Sequence, residues 1–295
     1  MNNKILYKII YESKLFTNND EITITPFKNA EDGNDYSVWK VSSHDFKCVM
    51  KKSNIKELFI YKTYLKDVNC VPRLLSYVES NEDIYLFIEY INGQSKIKLS
   101  RDDLISIVDA IILFQDRYWG AVESDGGFTF EASLNSRLNR GKFLFDSELE
   151  KWYYEFLVCY KSTPRTLCHD DLLPFNAIIT NEFCKAVIID WEYAGIFPYP
   201  TSIVRLIAHG QDNDEAFFFI KDEDKEYAIT YYFDNFIKIR GISYEEYRKT
   251  VDLFLLYEYC EWIMLGNKYS TADMNRFEAY KKKAEKHIKE RLEKY

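Results

Sequence analysis

Between Cys168 and Glu192 the chain reads Cys168-His169-Asp170-Asp171-Leu172-Leu173-Pro174-Phe175-Asn176 and then, after the apolar run Val187-Ile188-Ile189, Asp190-Trp191-Glu192. This fits the spacing H-x-D-x-x-x-x-N followed by a carboxylate at the end of a hydrophobic strand. Phosphoryl transfer asks little covalent chemistry of a protein. It needs an acceptor for the hydroxyl proton, cations on the phosphate oxygens, and ligands that hold those cations. A loop carrying Asp171 and Asn176, with a strand ending at Asp190, would supply all three: Asp171 as base, Asn176 and Asp190 as hard oxygen ligands suited to Mg²⁺. A short acidic cluster alone is more often a polar turn. A chance turn would not also place an Asn downstream and close an apolar strand with another Asp. His169 belongs to the same catalytic-loop set, but the preferred reading is a core histidine whose ring hydrogen-bonds backbone and braces the loop.

The chain has 295 residues, 47% of them hydrophobic, enough to bury a large core as one domain or as two lobes sharing a cleft. Its 39 Lys and Arg against 47 Asp and Glu leave a formal charge of -8. That argues against a nucleic-acid surface, which needs a basic stripe, and favours a cationic second substrate. The six cysteines carry no CxxC pair and read as buried free thiols of a cytoplasmic protein. Met1–Ile10 lacks the apolar core of a signal peptide, and the most apolar stretch, Leu253–Leu265, is broken by Glu258 and Glu261, so no membrane span is expected.

The first third predicts strands over Glu21–Thr25, Tyr36–Val41, Phe46–Lys52, Leu74–Glu79 and Ile84–Tyr90, with a helix over Ile55–Leu65 capped by Ser53 or Asn54. Beyond Gly93 the pattern is mostly helical: Arg101–Tyr118, Asp146–Tyr160, Asp222–Ile239, Tyr244–Leu265 and a charged surface helix over Thr271–Lys294. Strands Ala177–Thr180 and Ala186–Asp190 lie between them. The best boundary separates residues 1–91 from residues 92–295.

The loop and strand around Asp171 and Asp190 resemble those of the aminoglycoside phosphotransferase and choline kinase superfamily, whose motifs read H-[GN]-D-x-x-x-x-N and I-D-[FW]-E. The resemblance is specific over those residues and extends through the order of elements over most of the chain. It implies an α+β, two-lobed protein-kinase-like fold, with a strand-rich N-lobe (residues 1–91) that binds the nucleotide and a mostly helical C-lobe (residues 92–295) that carries catalysis and acceptor binding, using ATP or GTP with Mg²⁺. It also implies a strand lysine paired with a helix glutamate. Cys48-Val49-Met50-Lys51 is similar to the V-A-I-K pattern, with Glu57 as the partner. Strand alternation puts Val49 beside Lys51; choosing Lys52 would put Met50 there. Gly33, Asn34 and Ser37 stand where a phosphate-covering loop would lie, although an acidic hairpin turn fits the same residues. Leu86–Gly93 resembles the lobe connector, with main-chain atoms of Glu89 and Ile91 placed for the adenine.

There are two departures. Asp170 stands where Gly or Asn is usual, and its charge would raise the pKa of Asp171. Ser202 stands where an Asp usually braces the loop. These, with the thin glycine loop, leave a nucleotide-binding module without transferase activity as the alternative. No A-P-E-like segment follows Asp190, which argues against a protein kinase.

The acceptor implied is a small hydroxylated molecule, either an aminoglycoside-like antibiotic or a choline-like amino alcohol; Asp190-Trp191-Glu192-Tyr193 tilts toward the latter. Glu258, Glu261 and Trp262 share one helical stripe and would suit an ammonium group by charge and cation–π attraction. The same stripe also reads as an exposed face with a single Trp.

Overall fold

The computed structural model describes residues 3–17, 19–28, 35–80, 83–123, 128–182, 185–269 and 274–295. Helix α1 (Asn3–Glu12) leads into strands β1 (Thr23–Lys28), β2 (Asp35–Ser42) and β3 (Lys47–Ser53), helix α2 (Ile55–Thr63), and strands β4 (Leu74–Ser80) and β5 (Asp83–Glu89). The strands form one antiparallel sheet in the order β1-β2-β3-β5-β4. Its two faces bury different partners, as the period of two requires. Cys48 and Met50 of β3 pack with Leu6, Ile9 and Ile10 of α1, whereas Val49 turns toward the cluster containing Leu58 and Tyr61 of α2. Helix α1, an amphipathic element, was not assigned from the sequence.

The chain crosses to the second lobe through residues 90–93. Gly93 is required there, because a Cβ would meet the Ile179 carbonyl oxygen at 2.4 Å. The second lobe holds β6 (Gln94–Ser95), α3 (Arg101–Arg117), α4 (Phe130–Gly141), α5 (Ser147–Ser162), β7 (Arg165–His169), β8 (Ala177–Ile179), β9 (Ala186–Ile188), β10 (Ala194–Pro198), α6 (Thr201–Ala208), α7 (Asp222–Tyr232), α8 (Tyr244–Tyr269) and α9 (Met274–His287). β10 pairs with β7, and β6-β8-β9 form a small sheet. The two pairings set the loop between β7 and β8, which carries Asp171 and Asn176, beside the turn that follows β9. The α+β, strand-rich and helix-rich division matches the expectation. The sequence reading omitted α4, α6, β7 and β10.

Capping explains several helix starts. The Asn54 side chain accepts from the Lys56 and Glu57 amides, which identifies it as the cap of α2 rather than Ser53, and Ser100 and Asp103 form a capping box on α3. Helix α9 is not simply a solvated surface helix: Tyr280 and Ala284, continued at four-residue spacing by Ile288 and Leu292 in the π-helical segment that follows, bury a stripe against the main core. Cys48, Cys159, Cys168 and Cys260 are free, but Cys70 is disulfide-bonded, contrary to the expectation of free thiols throughout. Spacing along the chain does not reveal such a pairing. No helix among the described residues is long and apolar enough to cross a membrane.

Candidate active site

Lys51 projects from β3 into the cleft, where its Nζ donates to Glu57 Oε1 at 2.9 Å and to Asp190 Oδ1 at 2.6 Å. Lys52 points the other way and pairs with Asp83. Burial pulls the Lys51 ammonium down, but the carboxylates of Glu57 and Asp190 outweigh it and hold its pKa above the ordinary lysine value. Glu57 is almost wholly buried and also accepts the Trp191 amide at 3.2 Å, tying α2 to the far side of the cleft. A second tie runs from Asn54 Nδ2 to Glu192 Oε1 at 2.8 Å.

Asp190 sits at φ 65°, ψ 65°, the left-handed region that a non-glycine residue occupies at a cost of about 1–3 kcal/mol. That turn swings its carboxylate, 46% exposed, out of the strand and toward Lys51. The Asn176 amide nitrogen donates to the Asp171 carbonyl at 2.8 Å, which leaves Oδ1 as its acceptor atom. The Ile189 amide donates to the Asn176 carbonyl at 2.9 Å, so the two expected metal ligands lie on bonded segments.

His169 is fully buried with both ring nitrogens engaged. Nε2 faces the Ile189 carbonyl at 3.0 Å, Nδ1 takes the Asp171 amide at 3.3 Å, and the ring packs edge-on against Trp191. Both ring nitrogens are thus engaged by backbone groups, one on the loop and one on the strand end before Asp190. Ser202, at the place of the usual aspartate, accepts the His169 amide through Oγ at 2.9 Å.

The charge on Asp170 is matched: Arg137 Nη2 reaches both of its oxygens at 2.7 and 2.9 Å. Arg137 is itself sandwiched between the Tyr160 and Tyr257 rings, each 4.7 Å from the guanidinium carbon. Burial pushes Asp171 up, with the Arg205 guanidinium opposing it; the repulsion that raises it further comes from Asp190 rather than from Asp170. Arg205 Nη2 donates to Asp171 Oδ1 at 2.8 Å. Arg137 and Arg205 were absent from the sequence reading. The available signal for Arg205 was a lone charge within the apolar run Thr201–Ala208.

Glu258 and Glu261 do lie near Asp171, but their charges are already paired. Glu258 is buried and accepts from Arg205 Nη1 at 2.8 Å, with His209 Nε2 3.2 Å away. Glu261 accepts from Arg205 at 2.8 Å and from Arg140. Trp262 stacks on Tyr280 of α9 and meets the His209 ring edge-on. At the connector, the Glu89 carboxylate is paired with Arg73, and its amide donates to the Arg73 carbonyl at 2.9 Å. Ile91 lies just beyond it and is half-buried. Ser37 is exposed near the start of β2, while Gly33 and Asn34 lie outside the described residues.

No family model matches the sequence, and no curated protein does. The fold, however, has solved counterparts. An ethanolamine kinase from Plasmodium vivax superposes with a TM-score of 0.62 at 17% identity, covering 95% of this chain and 89% of the other. An aminoglycoside phosphotransferase from Alicyclobacillus acidocaldarius gives 0.61 at 14% identity, covering 98% and 92%. A choline kinase from Streptococcus pneumoniae gives 0.60 at 16% identity, covering 94% and 98%. At these identities the likeness is one of fold, and it extends over nearly the whole of each chain.

Proposed function

We propose that this chain is a small-molecule kinase that moves the γ-phosphoryl group of ATP or GTP onto a hydroxyl of a small acceptor. The observation that carries the reading is the convergence at one cleft of Lys51, ion-paired to both Glu57 and Asp190, with the part-exposed carboxylate of Asp171. The kinase-like fold supports it, since the counterparts bear the names of kinases of small hydroxylated molecules.

In this reading Lys51 binds the α- and β-phosphates, and Asp171 orients the acceptor hydroxyl and takes its proton as the oxygen bonds to the γ-phosphorus. The bond to the bridging oxygen breaks, and the nucleoside diphosphate departs with that electron pair. Among the described residues no group of three or more His, Cys, Asp and Glu is suited to hold a metal. Asp190 and Asn176 nevertheless fit Mg²⁺, which takes one or two protein oxygens and fills its other positions with phosphate and water. When bound, the ion would neutralise charge building on the phosphate oxygens.

The arginine pairing of Glu258 and Glu261 speaks against a polycation, which would need unmatched carboxylates. The acceptor fits better as an amino alcohol with a single positive charge. ATP consumption over a panel of amino alcohols, aminoglycosides, nucleosides and sugars tests this. Asp171→Asn should lower turnover of the hit by about 10²–10⁴-fold while leaving Mg-nucleotide binding intact. A variant with wild-type kcat would refute the assignment of the base.

A further inference from the structure

We infer that Arg205 is a positioning residue for the base, an inference that rests on the phosphoryl-transfer reading above. It is the lone charged residue of α6, an otherwise apolar or small-polar helix packed into the core. Its guanidinium is held on one edge by α8: Nη1 donates to Glu258 Oε2 and Glu261 Oε2, each at 2.8 Å. His209, one turn further along, lies 3.2 Å from both that nitrogen and Glu258 Oε2, and its other ring nitrogen meets the Tyr280 hydroxyl of α9 at 2.7 Å. A planar fork fixed along one edge has a single orientation for the other. That other edge presents Nη2 to Asp171 Oδ1 at 2.8 Å.

The backbone of Asp171 is fixed independently, by His169 through its amide and by Asn176 through its carbonyl. Neither bond governs rotation of the carboxylate. Among the described residues, Arg205 is the side chain that donates to that carboxylate. With Oδ1 pinned, Oδ2 is the oxygen left for the acceptor hydroxyl. A lysine at 205 would carry the charge but could not span Asp171 and the α8 carboxylates with a rigid fork.

The test uses the full chain, Mg-ATP, and water as the acceptor, with release of inorganic phosphate as the measure of turnover. Arg205→Gln leaves Glu258 buried without its partner and can destabilise the fold, so the deciding variant is the charge-matched Arg205→Gln/Glu258→Gln. A positioning role predicts that this pair keeps its melting temperature and its KM for ATP while kcat falls about 10-fold or more, since a misplaced base loses part of its contribution. Wild-type kcat in the pair overturns the inference, and so does a fall in kcat accompanied by equal losses in melting temperature and ATP affinity. If the wild type binds Mg-ATP yet consumes none with water or with any acceptor of the panel above, the transfer reading itself fails, and this inference fails with it.

Discussion

The Nζ of Lys51 and Oδ1 of Asp190 stand 2.6 Å apart although 139 residues separate them, and Glu57 closes the group by accepting from Lys51 and from the Trp191 amide. A strand lysine, a helix carboxylate and a strand-end carboxylate thus form one contact network across the cleft. Binding of a nucleotide would exploit that arrangement rather than create it.

Lys51→Met tests the network. The variant removes the cation that reaches phosphate and leaves Glu57 and Asp190 facing each other. We expect turnover to drop about 10²-fold or more, in the range found when a donor to developing charge is removed, with weaker nucleotide binding by calorimetry. Lys52→Met, on the other face of β3, should leave both measurements unchanged.

Arg137 and Asp170 provide a second test, on stability. Removing one member of a buried ion pair strands the other, at a cost of about 3–5 kcal/mol. Arg137→Met should therefore lower the melting temperature by many degrees, and Arg137→Met/Asp170→Gly should recover most of the loss. Thermal denaturation of both variants checks it; equal losses in the two would show that the aromatic sandwich around Arg137, rather than the pair, carries the stability.

A pH prediction follows from Glu258. Burial alone would push its carboxyl up, but Arg205 and His209 outweigh that and hold it well below the usual carboxylate range. A carboxyl with a depressed folded-state pKa binds fewer protons than its unfolded counterpart. The stability it gives is therefore fully present above the unfolded value, about 4.3 for glutamate, and is lost as pH falls below it toward the folded value. Denaturant melts at successive pH values should show wild type losing more stability than Glu258→Gln on acidification. Parallel curves would remove Glu258 from the account of acid sensitivity.

Much of this was legible in the sequence because it is local. H-x-D-x-x-x-x-N, the apolar strand before Asp190 and the alternation that puts Lys51 with Val49 are all fixed by short-range spacing. The charge-matching was not legible. Arg137 reaches Asp170 from α4, and Arg205 reaches Asp171 from α6, two helices that the sequence reading did not assign. The helical stripe of Glu258, Glu261 and Trp262 was legible as an acceptor-binding face, whereas in the structure Arg205 joins both carboxylates to Asp171. Their partners lie elsewhere in the chain, so periodicity could not tell a cation-binding face from an interior ion-pair cluster. The burial of α9 was hidden for a similar reason: Lys and Glu dominate its composition, while a narrow stripe headed by Tyr280 does the packing.

Ser202 offers the last test, because it stands where a carboxylate would be expected and still contacts the loop. Its hydroxyl is fully buried and accepts the His169 amide at 2.9 Å, at the point where β7 gives way to the catalytic loop. Ser202→Ala would leave that amide buried without an acceptor, at a cost of about 1–3 kcal/mol. The volume change is small, so most of the loss should reflect the hydrogen bond rather than a cavity. Because the His169 ring also takes the Asp171 amide, loosening the strand end should reach the base. We expect a lower melting temperature together with a modest fall in kcat and an unchanged KM for ATP, because the Lys51 network lies on the other side of the cleft. Thermal melts and steady-state kinetics on the one variant decide the matter: an unchanged melting temperature would mean that the His169 amide finds another acceptor, and that Ser202 does not brace the loop.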